Sequence, residues 1–176
     1  KDYKIRTDLV IDQLNDISNI DGVLENVYYE NNIRVSNMHI NLDASKKLDK
    51  KEGDYTTIYF DDITDYTNFN YVKDVFIKEL NKILVKSNLN NLDNILIVGL
   101  GNKKSTPDAL GPNIIDNIVV TKHIKDLIGS LEDNYKIVSA ISPGVMATTG
   151  IETSDILDSL IERVKPSYLI VCDALA

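Results

Sequence analysis

The sequence predicts an α/β fold: a mostly parallel sheet with helices on both faces and a small β-rich elaboration before it. Three observations carry this. Ile95, Leu96, Ile97 and Val98 run apolar without alternation, as in a strand covered on both faces in the middle of a parallel sheet. Ile137 to Ile141 and Tyr168 to Cys172 are two further short apolar runs. Stretches of helical spacing separate the three, and a β-α-β-α-β order with short links requires right-handed crossovers. The strands are then parallel, and their carboxyl ends share one edge of the sheet. No Pro/Gly/Ser-rich linker divides the 176 residues, so they read as part of one domain.

Taken in order, Thr7 is a helix N-cap before Leu9, Val10, Gln13 and Leu14, which predicts a short helix within residues 1–15. Residues 22–60 read as strands: Val23 to Tyr29, Ile33 to Leu42 with Met38, Ile40 and Leu42 alternating, and Tyr55 to Phe60 after Gly53. The charged stretch Asp43 to Asp54 reads as a solvated loop. The main sheet and its helices take residues 69–176. Val72, Val75, Phe76, Leu80, Ile83 and Leu84 form one stripe of an amphipathic helix over 69–87, which covers the sheet and leads into the Ile95 strand.

Gly99 and Gly101 allow a tight turn, and the next helix starts between Pro107 and Pro112, because proline is tolerated in a first turn and not later. Ile114, Ile115, Ile118 and Val119 are its buried face, and it ends before Gly129, with His123 near its C-terminal dipole. Pro143-Gly144 ends the second strand. Thr149 to Glu152 has capping-box spacing, with Thr153 as the alternative cap. The helix that follows has a stripe of Ile156, Leu157, Leu160, Ile161 and Val164, and Pro166 stops it. The closing residues, YLIVCDALA, end where a helix should begin, so the chain is expected to be the front part of a longer protein.

Composition excludes several roles. A net charge of −8 and a pI near 4.7 oppose a phosphate-backbone footprint, and with it direct nucleic-acid binding. Cys172 alone cannot form an internal disulfide. No apolar run reaches the length of a membrane span or a signal-peptide core.

Asp108, Ser142 and Asp173 fall along the predicted carboxyl edge of the parallel sheet, where open α/β sheets keep their active sites. Two carboxylates within about 4–6 Å of each other cannot both ionise easily, so one keeps a proton and the other its charge. Such a pair can do acid and base work on a water and a carbonyl. The plain alternative is that Asp108 only stabilises a helix N-terminus and Asp173 caps the next helix. Other chemistry has less support. Lys104 stands where a dinucleotide fingerprint after Gly99-Leu100-Gly101 needs its third glycine, and there is no Walker motif. Cys172 reads as a core residue within a strand rather than a nucleophile. A metal held by Asp108, Asp173 and either His39 or His123 is left open, although no spacing resembles a zinc motif.

The segments RTDLV near the start, GLGN, TPDALGP, VTKH, VSAISPGVMATTGIETSDI and KPSYLIVCDALA resemble, in order and spacing, the germination protease family of spore-forming bacteria. The resemblance covers nearly the whole chain. It implies an aspartic-type endopeptidase that degrades small acid-soluble spore proteins during germination, without a cofactor or a metal. It further implies synthesis as a zymogen in the forespore, a homotetramer, and a location in the cytoplasm of the forespore or spore core. The implied fold is the three-layer phosphorylase/hydrolase-like arrangement shared with hydrogenase-maturation proteases. The implied catalytic residues are Asp108 and Asp173, and the implied processing site is Asp8-Leu9, within a pro-segment over residues 1–15. Lys103 and Lys104 depart from the aromatic or aliphatic residues usual after GLGN, and Cys172 from the usual aliphatic. The glycine-rich and basic segments that the family carries beyond the third strand do not occur in this sequence. Two alternatives stand beside this reading: a maturation-type protease of the same fold that recognises a bound metal, and a non-catalytic binding module.

Overall fold

A computed structural model describes residues 20–89, 93–132 and 135–174. It divides the chain into two units, residues 1–88 and 89–176. The helix predicted around Thr7 lies outside the described residues.

In the first unit, β1 (Val23–Glu30), β2 (Ile33–Ile40) and β3 (Gly53–Tyr59) form an antiparallel sheet in that order. Asn31 and Asn32 both hold positive φ, 49° and 63°, the backbone that a two-residue hairpin turn needs and that asparagine tolerates. Alternation along β2 sorts its side chains to two faces. Ile33 and Val35 pack with Val75 of α2 (Tyr66–Lys86), and Met38 and Ile40 with Ala44 of α1 (Leu42–Leu48).

Helix α1 corrects the loop predicted from Asp43 to Asp54. The Asn41 side chain accepts the Ala44 N–H at 2.9 Å, and Asp49 ends the helix in the left-handed region at φ 52°. Leu42, predicted as the last alternating residue of β2, therefore opens a helix. Helix α2 was expected, but it packs on the antiparallel sheet, whereas the sequence groups it with the parallel one. Its buried positions are Val75 and Glu79, while Phe76, Leu80 and Ile83 of the predicted stripe are exposed. Glu79 is only 3% exposed and accepts from the Tyr28 hydroxyl at 2.8 Å, from Asn37 Nδ2 at 2.9 Å and from Lys82 Nζ. Burial alone would raise its carboxyl, but the bonds from Lys82, Tyr28 and Asn37 outweigh that and hold it below the usual value. Burial and the neighbouring Glu79 push the Tyr28 hydroxyl far up.

In the second unit, β4 (Asn94–Gly99), β5 (Ile137–Ile141) and β6 (Tyr168–Cys172) form a parallel sheet in the order β5-β4-β6. The central place of β4 agrees with its unbroken apolar run, and Leu96 and Val98 are buried. The single helix predicted to run up to Gly129 is two, α3 (Leu110–Asp116) and α4 (Lys122–Ile128). The break follows from Thr121, which is drawn onto β5. Its N–H donates to Val138 O at 3.0 Å, and its Oγ1 accepts the Val138 N–H at 2.9 Å and donates to Lys136 O. Val119, predicted as buried, is 70% exposed in the link. His123 consequently sits in the first turn of α4 rather than near a helix C-terminus.

Helices α5 (Met146–Thr149) and α6 (Thr153–Val164) connect β5 to β6. Neither predicted cap serves α6. Glu152 occupies the N-cap without a side-chain bond, Thr149 Oγ1 accepts the Ile151 N–H, and Thr153 Oγ1 donates to Gly144 O. Lys165, at φ 49°, ends α6 just before Pro166. Among the described residues, no helix is long and apolar enough to cross a membrane.

Candidate active site

Strands β4 and β6 are hydrogen-bonded neighbours in register, Gly99 opposite Cys172. One step further, the Leu100 N–H donates to Cys172 O at 2.8 Å, so the ladder continues to the point where the chains part. Asp173 leaves from β6 at that point, and the loop that carries Asp108 leaves from β4. The first turn of α3 presses directly on these strand ends. A Cβ on Gly99 would lie 2.2 Å from Gly111 O, and a Cβ on Gly111 would lie 2.2 Å from Leu100 O and 2.7 Å from Cys172 O. All three obstacles are backbone atoms, which cannot swing aside. Gly111→Ala is therefore expected to lower the stability of the full-length protein by about 3 kcal/mol, the upper range for forced overpacking. Urea unfolding checks this, and a midpoint equal to that of the wild type would contradict it.

The Asp108 loop is closed by hydrogen bonds of its own. Gly101 holds φ at 113°, a region that side chains rarely adopt. The Asn102 N–H donates to Asp108 O at 2.9 Å and to Asp108 Oδ2 at 2.8 Å. Asn102 Oδ1 accepts the Lys104 N–H at 3.0 Å, Asn102 O accepts the Ser105 N–H, and Ser105 O accepts the Asp108 N–H, both at 2.9 Å. Residues Thr106–Asp108 make one 3₁₀ turn with Pro107 in it, and α3 then begins. Both prolines thus fall within first turns, as predicted. Lys103 pairs with Asp116 at the end of α3, and Lys104 is exposed; the two lysines leave the loop closed.

Asp108 is half-buried, and its carboxylate bonds back to Asn102 instead of to a helix N–H; α3 has no side-chain cap. Asp108 does not cap α3, but it stands two residues before it, where the plain reading of a carboxylate that stabilises a helix N-terminus still applies. Asp173 is exposed, and its Oδ1 accepts the Ala174 N–H at 2.8 Å. Each carboxylate has one oxygen engaged by a backbone N–H. Ser142 follows β5 on the other side of β4.

Among the described residues, no three of His, Cys, Asp and Glu come together in a way that could hold a metal ion. His39 lies on β2 with Asp54 at 2.8 Å, and His123 on α4. Burial pushes the Cys172 thiol up, opposite to the shift that a thiolate nucleophile needs. Asp8 and Leu9 lie outside the described residues. Sequence reasoning passed over Asn102 and Gly111. An asparagine that opens a polar loop is a known turn-former, and that was the available signal for Asn102.

A sequence model described as Germination protease matches residues 5–176. The chain belongs to the germination protease family. It is 39% identical over 189 residues to the Germination protease of Geobacillus sp. (strain WCH70), a match covering 99% of this chain and 51% of the relative. The Germination protease of Priestia megaterium is 37% identical over 187 residues, covering 99% of this chain and 50% of the relative. That of Bacillus cytotoxicus is 39% identical over 184 residues, with the same coverage, 99% and 50%. The chain thus spans about half the length of the curated relatives it matches. The germination protease family is a peptidase family.

Proposed function

We propose that the protein acts as an endopeptidase on small acid-soluble spore proteins, with Asp108 and Asp173 sharing the hydrolysis. One observation carries this reading: the two aspartates follow neighbouring parallel strands beyond the Gly99–Cys172 pair, each with a carboxylate oxygen fixed by a backbone N–H. One carboxylate takes a proton from a water as the water oxygen bonds to the scissile carbonyl carbon. The other, protonated, gives its proton to the carbonyl oxygen. When the tetrahedral intermediate collapses, one of its hydroxyl protons returns to the second carboxylate, the C–N bond breaks, and the amine leaves with the proton held by the first carboxylate. The relatives' printed name, Germination protease, agrees with this chemistry.

The same reading includes a three-layer phosphorylase-like architecture, a homotetramer, a place in the spore core, and synthesis as a zymogen trimmed near Asp8-Leu9. Purified full-length protein is expected to cut a small acid-soluble spore protein, with the rate unchanged by a chelator. Loss of cleavage on chelation would favour the metal-recognising maturation-type alternative, and binding without cleavage the non-catalytic module. Mass spectrometry after incubation at mildly acidic pH is expected to show a new N-terminus at or beside Leu9. An unchanged intact mass would remove the zymogen part of the proposal.

A further inference from the structure

We infer that Asn102 is a positioning residue that decides which oxygen of Asp108 meets the attacking water. The inference rests on the aspartate reading above and adds a role for a residue outside the pair. Asn102 commits three polar groups to one small ring. Its N–H is shared between Asp108 O at 2.9 Å and Oδ2 at 2.8 Å, its carbonyl accepts the Ser105 N–H at 2.9 Å, and its side-chain Oδ1 accepts the Lys104 N–H at 3.0 Å. The side-chain bond orients the Asn102 peptide, and the peptide in turn holds the carboxylate.

Gly101 completes the arrangement by having no side chain. A Cβ there would lie 2.1 Å from Asp108 O and 2.9 Å from Oδ1, in the space the aspartate occupies. With Oδ2 bound to the backbone, Oδ1 accepts no hydrogen bond from any described residue. Oδ1 is therefore the oxygen that takes the water proton. A charge-assisted bond from a fixed amide sets its direction before substrate arrives. Of the charged groups near this ring, Lys103 is paired with Asp116, Lys104 is exposed, and Asp173 follows β6.

Asn102→Ala in the full-length protein tests the inference. It removes the Lys104 bond and lets the Asn102 peptide turn, so kcat on a small acid-soluble spore protein is expected to fall about tenfold, within the range that small misplacements of a catalytic group produce. KM should stay near that of the wild type. Asn102→Asp, which keeps an oxygen for the Lys104 N–H, should recover most of kcat, and Lys104→Ala, which keeps that N–H, should behave as wild type.

A wild-type kcat in Asn102→Ala would overturn the inference. So would a loss that only follows the fraction of folded protein. Asp108→Asn, assayed alongside, separates the two levels: if it stays active, the aspartate reading itself fails; if it is inactive while Asn102→Ala is not, only the role of Asn102 falls.

Discussion

Asp108→Asn and Asp173→Asn are each expected to reduce cleavage of a small acid-soluble spore protein by about 10²–10⁴-fold, the usual contribution of a positioned acid or base. The fold should survive both changes. An asparagine at 108 can still offer an oxygen to the Asn102 N–H, and one at 173 can still accept from Ala174, so the existing bonds keep an acceptor. Stability should move by no more than about 0.5 kcal/mol, as is usual for substitutions that open no cavity. Under the proposed mechanism the two carboxylates act as one unit, so the double variant should be scarcely worse than either single one. Steady-state kinetics beside thermal melts decide the matter: near wild-type cleavage by either single variant would rule out the shared mechanism.

The second large effect lies in the other unit. Glu79→Ala leaves the Tyr28 hydroxyl and the Asn37 amide without their acceptor beneath α2. Leaving these half-buried partners unsatisfied costs about 2 kcal/mol. This stability also depends on pH, with a definite sign. The folded state holds the Glu79 carboxyl below its usual value, through Lys82, Tyr28 and Asn37 acting against burial. The native state therefore binds that proton less readily than the unfolded chain does. Its contribution is fully present above the unfolded value of about 4.3 and fades as the pH falls through the lower folded value. Urea titrations at pH 7 and below pH 4 should show the gap between wild type and Glu79→Gln narrowing in acid. A constant gap would mean that the carboxylate charge is not what the site stabilises.

The parallel sheet was legible because its signals are local. An uninterrupted run of Ile and Val admits a buried central strand and little else, and β4, β5 and β6 appear where such runs stand. The positions of Asp108 and Asp173 beyond two of those strands followed from the same runs. What escaped was set by distant partners. Nothing in the Asn117 to Val120 stretch resembles a helix breaker; α3 stops because Thr121 finds its hydrogen bonds on β5, a contact between segments about 15 residues apart in sequence. Glu79 occupies a position on α2 that reads as a solvated face, and Lys82 with the hydroxyl and amide presented by β1 and β2 makes its burial favourable. Helix α1 hid behind its charges, with Asn41 as its one local marker. The Asp108 ring is built from backbone groups, which residue types alone do not reveal.

Thr121 also bears on the outward side of β5. Among the described residues β5 is an outer strand of its sheet, and an outer strand presents backbone groups on which another strand can pair. By answering the Val138 N–H with a hydroxyl and the Val138 carbonyl with its own amide, a single residue takes the place a foreign strand would need. The break between α3 and α4 thus blunts part of the outward side of β5 with one threonine rather than with a charge or a proline.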